Sequence, residues 1–207
     1  AKLEFFTNIS HELRSPLTLI LGPIEKLINK MDSLNNEDRL KSYKTIQRNA
    51  DYLLKLTKQL LDFRKLEQGK LKLTCSHTNI NKLLETINEQ YYPLANKKQI
   101  LIDYNYPEAK IFAWIDINKF EKIIHNLLSN AIKFTNEKGK IFIDLKFEKS
   151  SLEYPDGLLE VIVKDNGRGI SSNELNNIFT RFYQVKNTNK SNDGVGIGLA
   201  LSQSLAN

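Results

Sequence analysis

The sequence predicts two parts of different fold class, an all-α antiparallel helical hairpin followed by an α+β domain. Up to Glu67 the apolar residues recur every three or four positions, which is the period of amphipathic helices. After Glu67, short β-rich runs alternate with helical patterns and turns, as in α+β folds. With 207 residues, of which 41% are hydrophobic, the chain is long enough for one large domain or two small ones.

Two long helices make up the predicted hairpin. The first extends from about Leu3 to Lys30. The second extends from about Glu37 to Glu67, after a polar turn in which an asparagine or serine can cap it. Two antiparallel helices cannot bury their apolar stripes well by themselves, whereas two hairpins packed as a four-helix bundle can. The sequence therefore predicts a homodimer.

A histidine and a proline depart from the apolar stripe of the first helix. His11 lies two positions from both Ile9 and Leu13, about 200° round the helix from each, and is predicted to face solvent. Pro16 has no N–H for the carbonyl of Glu12, so the helix is predicted to be loosened or bent there. A neutral imidazole is a nucleophile near neutral pH, and Glu12 could hold one ring nitrogen protonated. On these residues alone, a surface histidine beside an incidental proline is the simpler interpretation.

The second part is predicted to be an α+β domain of residues 76–207, preceded by a linker or first strand at residues 68–75. Alternation in "GKLKLTCSHTNI" predicts the first strand. The further strands are predicted at "QILIDYNY", "KIFIDLKFE" and "LLEVIVKDNG", and the helices at "NKLLETINEQYYPLANKK" and "DINKFEKIIHNLLSNAIKFT".

The last of these helices places two amides and a lysine on one face. Asn126, Asn130 and Lys133 are separated by four and three residues. An amide oxygen suits a magnesium ion that keeps most of its waters and binds phosphate oxygens, and a lysine meets phosphate as a point charge. In isolation, a solvated polar face explains the same pattern.

A first glycine-rich stretch, "DNGRGI", follows the last predicted strand. Asp165 lies at the strand end, and Gly167 and Gly169 allow the backbone to approach a ligand closely.

A second glycine-rich stretch, "DGVGIGLALSQSLAN", places Gly194, Gly196 and Gly198 before a helical pattern that starts near Leu199. Glycines at a helix N-terminus, with free N–H groups and the positive end of the dipole, form a phosphate cradle. No strand of a βαβ unit precedes this loop, so a Rossmann dinucleotide site is excluded. The long polar segment "IFTRFYQVKNTNKSND" between the two stretches is typical of a lid.

Taken together, these stretches resemble the sensor histidine kinases of two-component systems, hybrid sensors included, over essentially the whole chain. The matching motifs are "SHELRSPL" (phospho-acceptor box), "NLLSNAIKFT" (asparagine box), "DNGRGI" (first glycine box), "IFTRFY" (phenylalanine box) and "GVGIGLAL" (second glycine box).

The resemblance implies a dimerisation and histidine phosphotransfer domain at residues 1–67 and a Bergerat-type ATP-binding catalytic sandwich at residues 76–207. It implies that His11 is phosphorylated from ATP, with Glu12 as general base, and passes the group to an aspartate of a response-regulator receiver domain. Ser15 occupies the position where such kinases have a threonine or asparagine that positions water for the reverse reaction. The chain is expected to be a cytoplasmic part of a membrane-anchored bacterial sensor.

The resemblance also assigns a nucleotide pocket. Asn130 would bind Mg²⁺, with Asn126 and Lys133 near the phosphates of ATP. Asp165 would hydrogen-bond the adenine amino group, and Phe134 would pack on the adenine ring. The remaining ATP-binding positions are Arg181, as a candidate for the γ-phosphate, and Gly167, Gly169, Gly194, Gly196, Gly198 and Leu199.

Two other function classes fit parts of this pattern. Gyrase- and chaperone-type ATPases with this pocket place a water-activating glutamate one turn before the metal-binding asparagine, where this chain has Asn126. A dimeric nucleotide-binding scaffold without kinase activity would show a degraded motif, and none is evident. The kinase interpretation is therefore preferred.

Charge and hydropathy exclude several partners. The net charge of +6 divides evenly at Glu67 and both signs are interleaved, which argues against nucleic acid. No stretch approaches the roughly 18 to 20 consecutive apolar residues of a membrane helix, so no direct membrane contact is predicted. The resembled kinases continue with further strands beyond the helix that contains Asn207, so the sandwich is expected to be truncated at its C-terminus.

Four residues outside these motifs are predicted to be structural. Trp114 is expected in the core and Cys75 as a small buried hydrophobe. His77 and His125 have no further ligand at metal-ligand spacing.

Overall fold

The computed structural model describes residues 2–29, 33–68, 72–148, 150, 154, 157–185 and 196–206. The chain forms two compact units. One contains Ala1–Leu71 and Thr180–Gly198, and the other contains Lys72–Phe179 and Leu199–Asn207.

The first unit is built on two long helices that contact each other, which confirms the helical hairpin. Helix α1 spans Lys2–Asn29 and helix α2 spans Asn36–Glu67. The cap of α2 is Asn35, an asparagine of the predicted polar turn, and its Oδ1 accepts a hydrogen bond from the N–H of Asp38 at 2.7 Å. This bond satisfies one of the donors that every helix start leaves open.

Helix α1 continues through the proline that follows the histidine. Both Pro16 and Pro23 lie inside the helix, and the side chain of Pro16 is buried. Because proline has no N–H, the carbonyl of Glu12 lacks its usual donor four residues later. Pro16 thus removes one helical hydrogen bond but does not end the helix.

One set of large apolar side chains on the hairpin remains exposed, with between 47% and 70% of each residue's surface accessible. These residues come from both helices: Leu17, Leu19, Leu21, Ile28, Leu40, Tyr43, Leu54 and Leu61. A pair of helices therefore leaves much of its apolar surface uncovered, as the sequence predicts.

The second unit has the predicted α+β class. Its strand β4 lies between β2, to which it is parallel, and β5, to which it is antiparallel, while β1 and β3 form a separate antiparallel pair. The elements are β1 (Ser76–Asn79), α3 (Ile80–Glu89), α4 (Tyr92–Lys97), β2 (Leu101–Asn105), β3 (Phe112–Ile115), α5 (Ile117–Phe134), β4 (Lys140–Glu148), β5 (Leu158–Asp165), α6 (Ser172–Leu175) and α7 (Gly198–Ala206), whose first residue is counted with the other unit.

The core of this unit lies between its sheet and its longer helices. Alternation along β4 buries Ile141, Ile143 and Leu145 on one face of the strand, while Phe142 on the other face is 38% exposed. Helices α3 and α5 supply the covering residues by their helical period. The central residues, each at most 3% exposed, include Ile80, Leu84, Ile87, Ile124, Leu128, Ala131, Ile141, Ile143 and Leu145.

Trp114 is 72% exposed, so the prediction that it belongs to the core is wrong. It lies on β3, a strand that the sequence analysis does not single out, and alternation there turns Ala113 and Ile115 towards the core. On the other face, the ring of His77 lies 5.1 Å from that of Phe112 and 5.5 Å from that of Trp114.

The segment before β1 is tied to the start of α5. Asp116 caps this helix by accepting a hydrogen bond from the N–H of Lys119 at 3.1 Å, and it also accepts one from the N–H of Thr74 at 3.0 Å. The ammonium of Lys119 pairs with Asp116 and donates to the carbonyl of Lys72 at 2.7 Å. Cys75 in this segment is exposed, so the prediction that it is a small buried hydrophobe is wrong, and residues 72–75 form no strand.

Asp116→Ala is expected to lower the free energy of unfolding of the chain by about 1–2 kcal/mol, since it removes a helix cap and the Thr74 anchor. Asp116→Asn should lower the free energy of unfolding by less, because the asparagine side chain keeps a hydrogen-bond acceptor.

The hydrogen bonds from the Lys119 side chain and Thr74 lower the pKa of Asp116 from 3.8 to about 2. The stabilisation should therefore be complete above about pH 4 and be lost as the pH falls towards 2. Urea titrations at pH 7 and pH 3 measure this, and an unchanged midpoint for Asp116→Ala at pH 7 would contradict it.

Candidate functional site

The histidine of the predicted phospho-acceptor box faces solvent. His11 is exposed on α1, whereas Ile9 and Leu13 are half-buried, as the angular positions on the helix predict. The hydroxyl of Ser15 donates to the carbonyl of His11 at 3.3 Å. A reactive ring nitrogen on this residue is accessible to a large substrate or a partner protein.

Glu12, beside His11, is half-buried and bonded across the hairpin. Its Oε2 accepts a hydrogen bond from the hydroxyl of Tyr52 on α2 at 3.0 Å. Tyr52 is absent from the predicted site residues. The available sign in the sequence was a polar aromatic residue within the apolar stripe of α2, three residues after Asn49 and four before Leu56.

Helix α5 carries the predicted amides and lysine in half-buried positions. The side-chain N–H of Asn126 donates to the hydroxyl of Ser202 on α7 at 2.9 Å, so this amide joins the two helices. No hydrogen bond of the Asn130 side chain is found among the described residues. Leu199, two residues into α7, is half-buried in the same unit.

The end of α5 packs against the first glycine box. A Cβ atom on Gly167 would collide with the carbonyl of Phe134 and come within 2.8 Å of Oδ1 of Asp165. That Oδ1 accepts a hydrogen bond from the N–H of Gly167 at 2.9 Å. Gly169 has φ +69°, a left-handed conformation that favours glycine. The structure therefore brings Phe134 and the Asp165 loop close together.

The ring of Phe134 is flanked by two cations. The guanidinium of Arg168 lies 4.7 Å from the ring centroid and the ammonium of Lys133 lies 5.0 Å from it. Arg168, between the two glycines of its box, is absent from the predicted site residues. The positive charges of Arg168 and Lys133 therefore lie beside the Phe134 ring, which the resemblance predicts to pack on the adenine of ATP.

A lysine distant in sequence holds the C-terminal end of α5. The ammonium of Lys98 donates to the carbonyls of Ile132 at 2.7 Å, Lys133 at 3.2 Å and Thr135 at 3.4 Å. These carbonyls have no partner within the helix, and a cation also complements the negative end of the helix dipole. The position of Lys133 and Phe134 thus depends on Lys98.

The phenylalanine box and the second glycine box meet in the first unit. The N–H of Phe182 donates to the carbonyl of Gly196 at 2.8 Å. Gly196 has φ +69°, and a Cβ there would lie 2.7 Å from the carbonyl oxygen of Tyr183. Arg181 is exposed, and Gly198 is the first residue of α7. Gly194 lies outside the described residues.

The donor set fits magnesium better than a protein-caged metal. No group of three or more His, Cys, Asp or Glu side chains in the described ranges could hold a metal ion. Magnesium is commonly held by few protein oxygens together with phosphate oxygens and waters. The amide oxygen of Asn130, one turn before Lys133, matches that requirement.

Family models identify both parts of the chain. Residues 1–69 match the His Kinase A (phospho-acceptor) domain, and residues 115–207 match the histidine kinase-, DNA gyrase B- and HSP90-like ATPase. A phospho-acceptor hairpin followed by this ATPase fold defines a protein-histidine kinase. The chain belongs to the sensor histidine kinases.

Relatives of known name agree with this assignment. The chain is 38% identical to sensor histidine kinase TmoS of Ectopseudomonas mendocina, over 97% of this chain and 20% of that protein. It is 37% identical to hybrid signal transduction histidine kinase D of Dictyostelium discoideum, over 97% of this chain and 13% of that protein. The chain therefore spans a fifth or less of the length of these two relatives.

Solved structures show the same fold. Full-length ShkA in complex with AMPPNP is 28% identical, with a TM-score of 0.67 over 98% of this chain and 40% of that chain. Histidine kinase ThkA in complex with response regulator protein TrrA is 22% identical, with a TM-score of 0.65 over 87% of this chain and 50% of that chain. In the described part of this chain, no helix has both the length and the apolar character needed to cross a membrane.

Gly167→Ala is expected to weaken ATP binding about 10-fold or more, because the added methyl group must displace the backbone at Phe134 or the Asp165 carboxylate. Isothermal titration with ATP and magnesium measures the affinity. The matched control is Gly22→Ala on α1, where a Cβ meets nothing within 4 Å. The control should bind ATP normally and stabilise its helix by up to about 1 kcal/mol. Wild-type affinity of Gly167→Ala would show that this close approach does not shape the site.

Proposed function

We propose that ATP-dependent autophosphorylation of His11, followed by transfer to an aspartate of a response-regulator receiver domain, is the function of this chain. The observation that carries the proposal is an exposed His11 next to a bonded carboxylate, Glu12, on a phospho-acceptor hairpin. ATP bound to the accompanying ATPase fold would be the phosphoryl donor for this nucleophile.

In the proposed step, one ring nitrogen of His11 attacks the γ-phosphorus of ATP. A nitrogen–phosphorus bond forms, and the bond from that phosphorus to the bridging oxygen breaks. The oxygen keeps the electron pair and leaves as part of ADP. The proton on the other ring nitrogen passes to Glu12, so that the phosphohistidine carries no extra positive charge.

We assign the nucleotide contacts as follows. Asn130 would hold Mg²⁺, which when bound neutralises phosphate charge, and Lys133 would assist. Asp165 would bind the adenine amino group and Phe134 would pack on the adenine ring. The further assigned contacts to ATP are those of Asn126, Gly167, Gly169, Arg181, Gly194, Gly196, Gly198 and Leu199.

A water-activating base is missing from the position where gyrase-type ATPases are expected to have one. That position holds Asn126, which is a neutral amide and donates to Ser202. The nearest carboxylate upstream on α5, Glu121, is nine residues before Asn130 and about 180° round the helix. The γ-phosphate would therefore await a nucleophile from outside this helix, which supports the kinase over an ATPase.

The partners follow from the same assignment. The exposed apolar side chains of the hairpin support a homodimer in which two hairpins form a four-helix bundle. The complex of ThkA with TrrA supports a response regulator as the acceptor. We place the chain on the cytoplasmic side of a membrane-anchored sensor, since relatives are named as sensors.

Full-length protein incubated with magnesium and γ-labelled ATP is expected to retain label that is stable to base and lost in acid. The same protein with His11→Gln should retain none, because it lacks the nucleophile. Filter binding measures the label retained on each of the two proteins, and a phosphate assay measures the free phosphate that each releases. Release of free phosphate without retained label would indicate an ATPase, and nucleotide binding with neither result would indicate a scaffold.

A further inference from the structure

The hydrogen bond between Tyr52 and Glu12 points to a role for the tyrosine in the reaction. We propose that Tyr52 is a positioning residue for phosphorylation of His11, acting through Glu12. The inference rests on the proposed function, in which Glu12 accepts the proton of the imidazole. Tyr52 is on α2, Glu12 is on α1, and their side chains meet at 3.0 Å.

The contact restricts a side chain that would otherwise be mobile. Glutamate has three rotatable side-chain bonds, and a carboxylate at a helix surface samples several rotamers. A phenol that donates to Oε2 of Glu12 selects one of them and forms a charge-assisted hydrogen bond. Oε1 then remains to accept the proton of the neighbouring imidazole.

Tyr52 lies on the face of α2 that carries two buried residues. Asn49 and Leu56, three residues before and four after Tyr52, lie on the same face of the helix and are 7% and 0% exposed. The amide N–H of Asn49 donates to the carbonyl of Thr45 at 2.7 Å, within its own helix. The hydrogen bond from α2 to Glu12 therefore comes from Tyr52 and not from this neighbouring amide.

The hydrogen bond from Tyr52 is also compatible with Glu12 acting as the base. The phenol is a donor to Oε2 of Glu12, and Oε1 of the same carboxylate can accept a further hydrogen bond. A tyrosine hydroxyl is neutral at physiological pH and cannot take the place of Glu12 as base. Tyr52 would therefore orient Glu12 without replacing it.

The test measures autophosphorylation of the full-length protein over a range of ATP concentrations. Tyr52→Phe, which keeps the ring and removes the hydroxyl, is expected to lower the rate at saturating ATP about 10-fold. KM for ATP should be unchanged, because the hydroxyl of Tyr52 is bonded to Glu12 and Tyr52 is not among the assigned ATP contacts. The matched control is Thr57→Val, which removes an exposed hydroxyl that donates to carbonyls of the same helix.

A double-mutant cycle separates this inference from the proposed function. Glu12→Gln should lower the rate about 100-fold, and adding Tyr52→Phe to it should lower the rate no further. A wild-type rate for Tyr52→Phe, or an equal loss in both backgrounds, would overturn the inference while labelled His11 still supports the kinase. A wild-type rate for Glu12→Gln would overturn the role of the base and, with it, the inference.

Discussion

The ATPase-like part of this chain depends on the close approach of two backbone segments at the end of α5. The main chain at Gly167 passes so near the carbonyl of Phe134 that a single methyl group would collide with it. The ammonium of Lys98 holds the same end of the helix by three carbonyl contacts. Because these groups are main chain or main-chain partners, small side-chain changes elsewhere would leave the arrangement intact.

This constraint places groups of different chemistry around one aromatic ring. Arg168 comes from the loop after β5, Lys133 from the last turn of α5, and both cations lie within 5.0 Å of the Phe134 centroid. The Asp165 carboxylate is held in the same loop by the N–H of Gly167. The antiparallel pairing of β4 with β5 thus brings the loop after β5 back to the end of α5, which suits a ligand with an aromatic base and a charged tail.

The fold class and the elements were predictable because they rest on local periodicity. The hairpin helices, the long helix α5 and the strands β2, β4 and β5 have strong patterns of their own. Strand β3 is short and its largest residue, Trp114, faces outwards, so hydrophobicity misled the prediction for that residue. The burial of Cys75 was predicted wrongly for a related reason, since the alternating pattern does not lead to strand pairing at residues 72–75.

The sequence by itself determined the fold class and the exposure of His11, because both follow from the spacing of apolar residues along single elements. Only the tertiary structure decided which residues hold Glu12 and the C-terminal end of α5 in position. Tyr52 meets Glu12 across 40 residues of sequence, and Lys98 reaches the end of α5 from more than 30 residues away. Such partners depend on how helices pack and on side-chain rotamers. Neither is encoded in a local repeat of apolar positions.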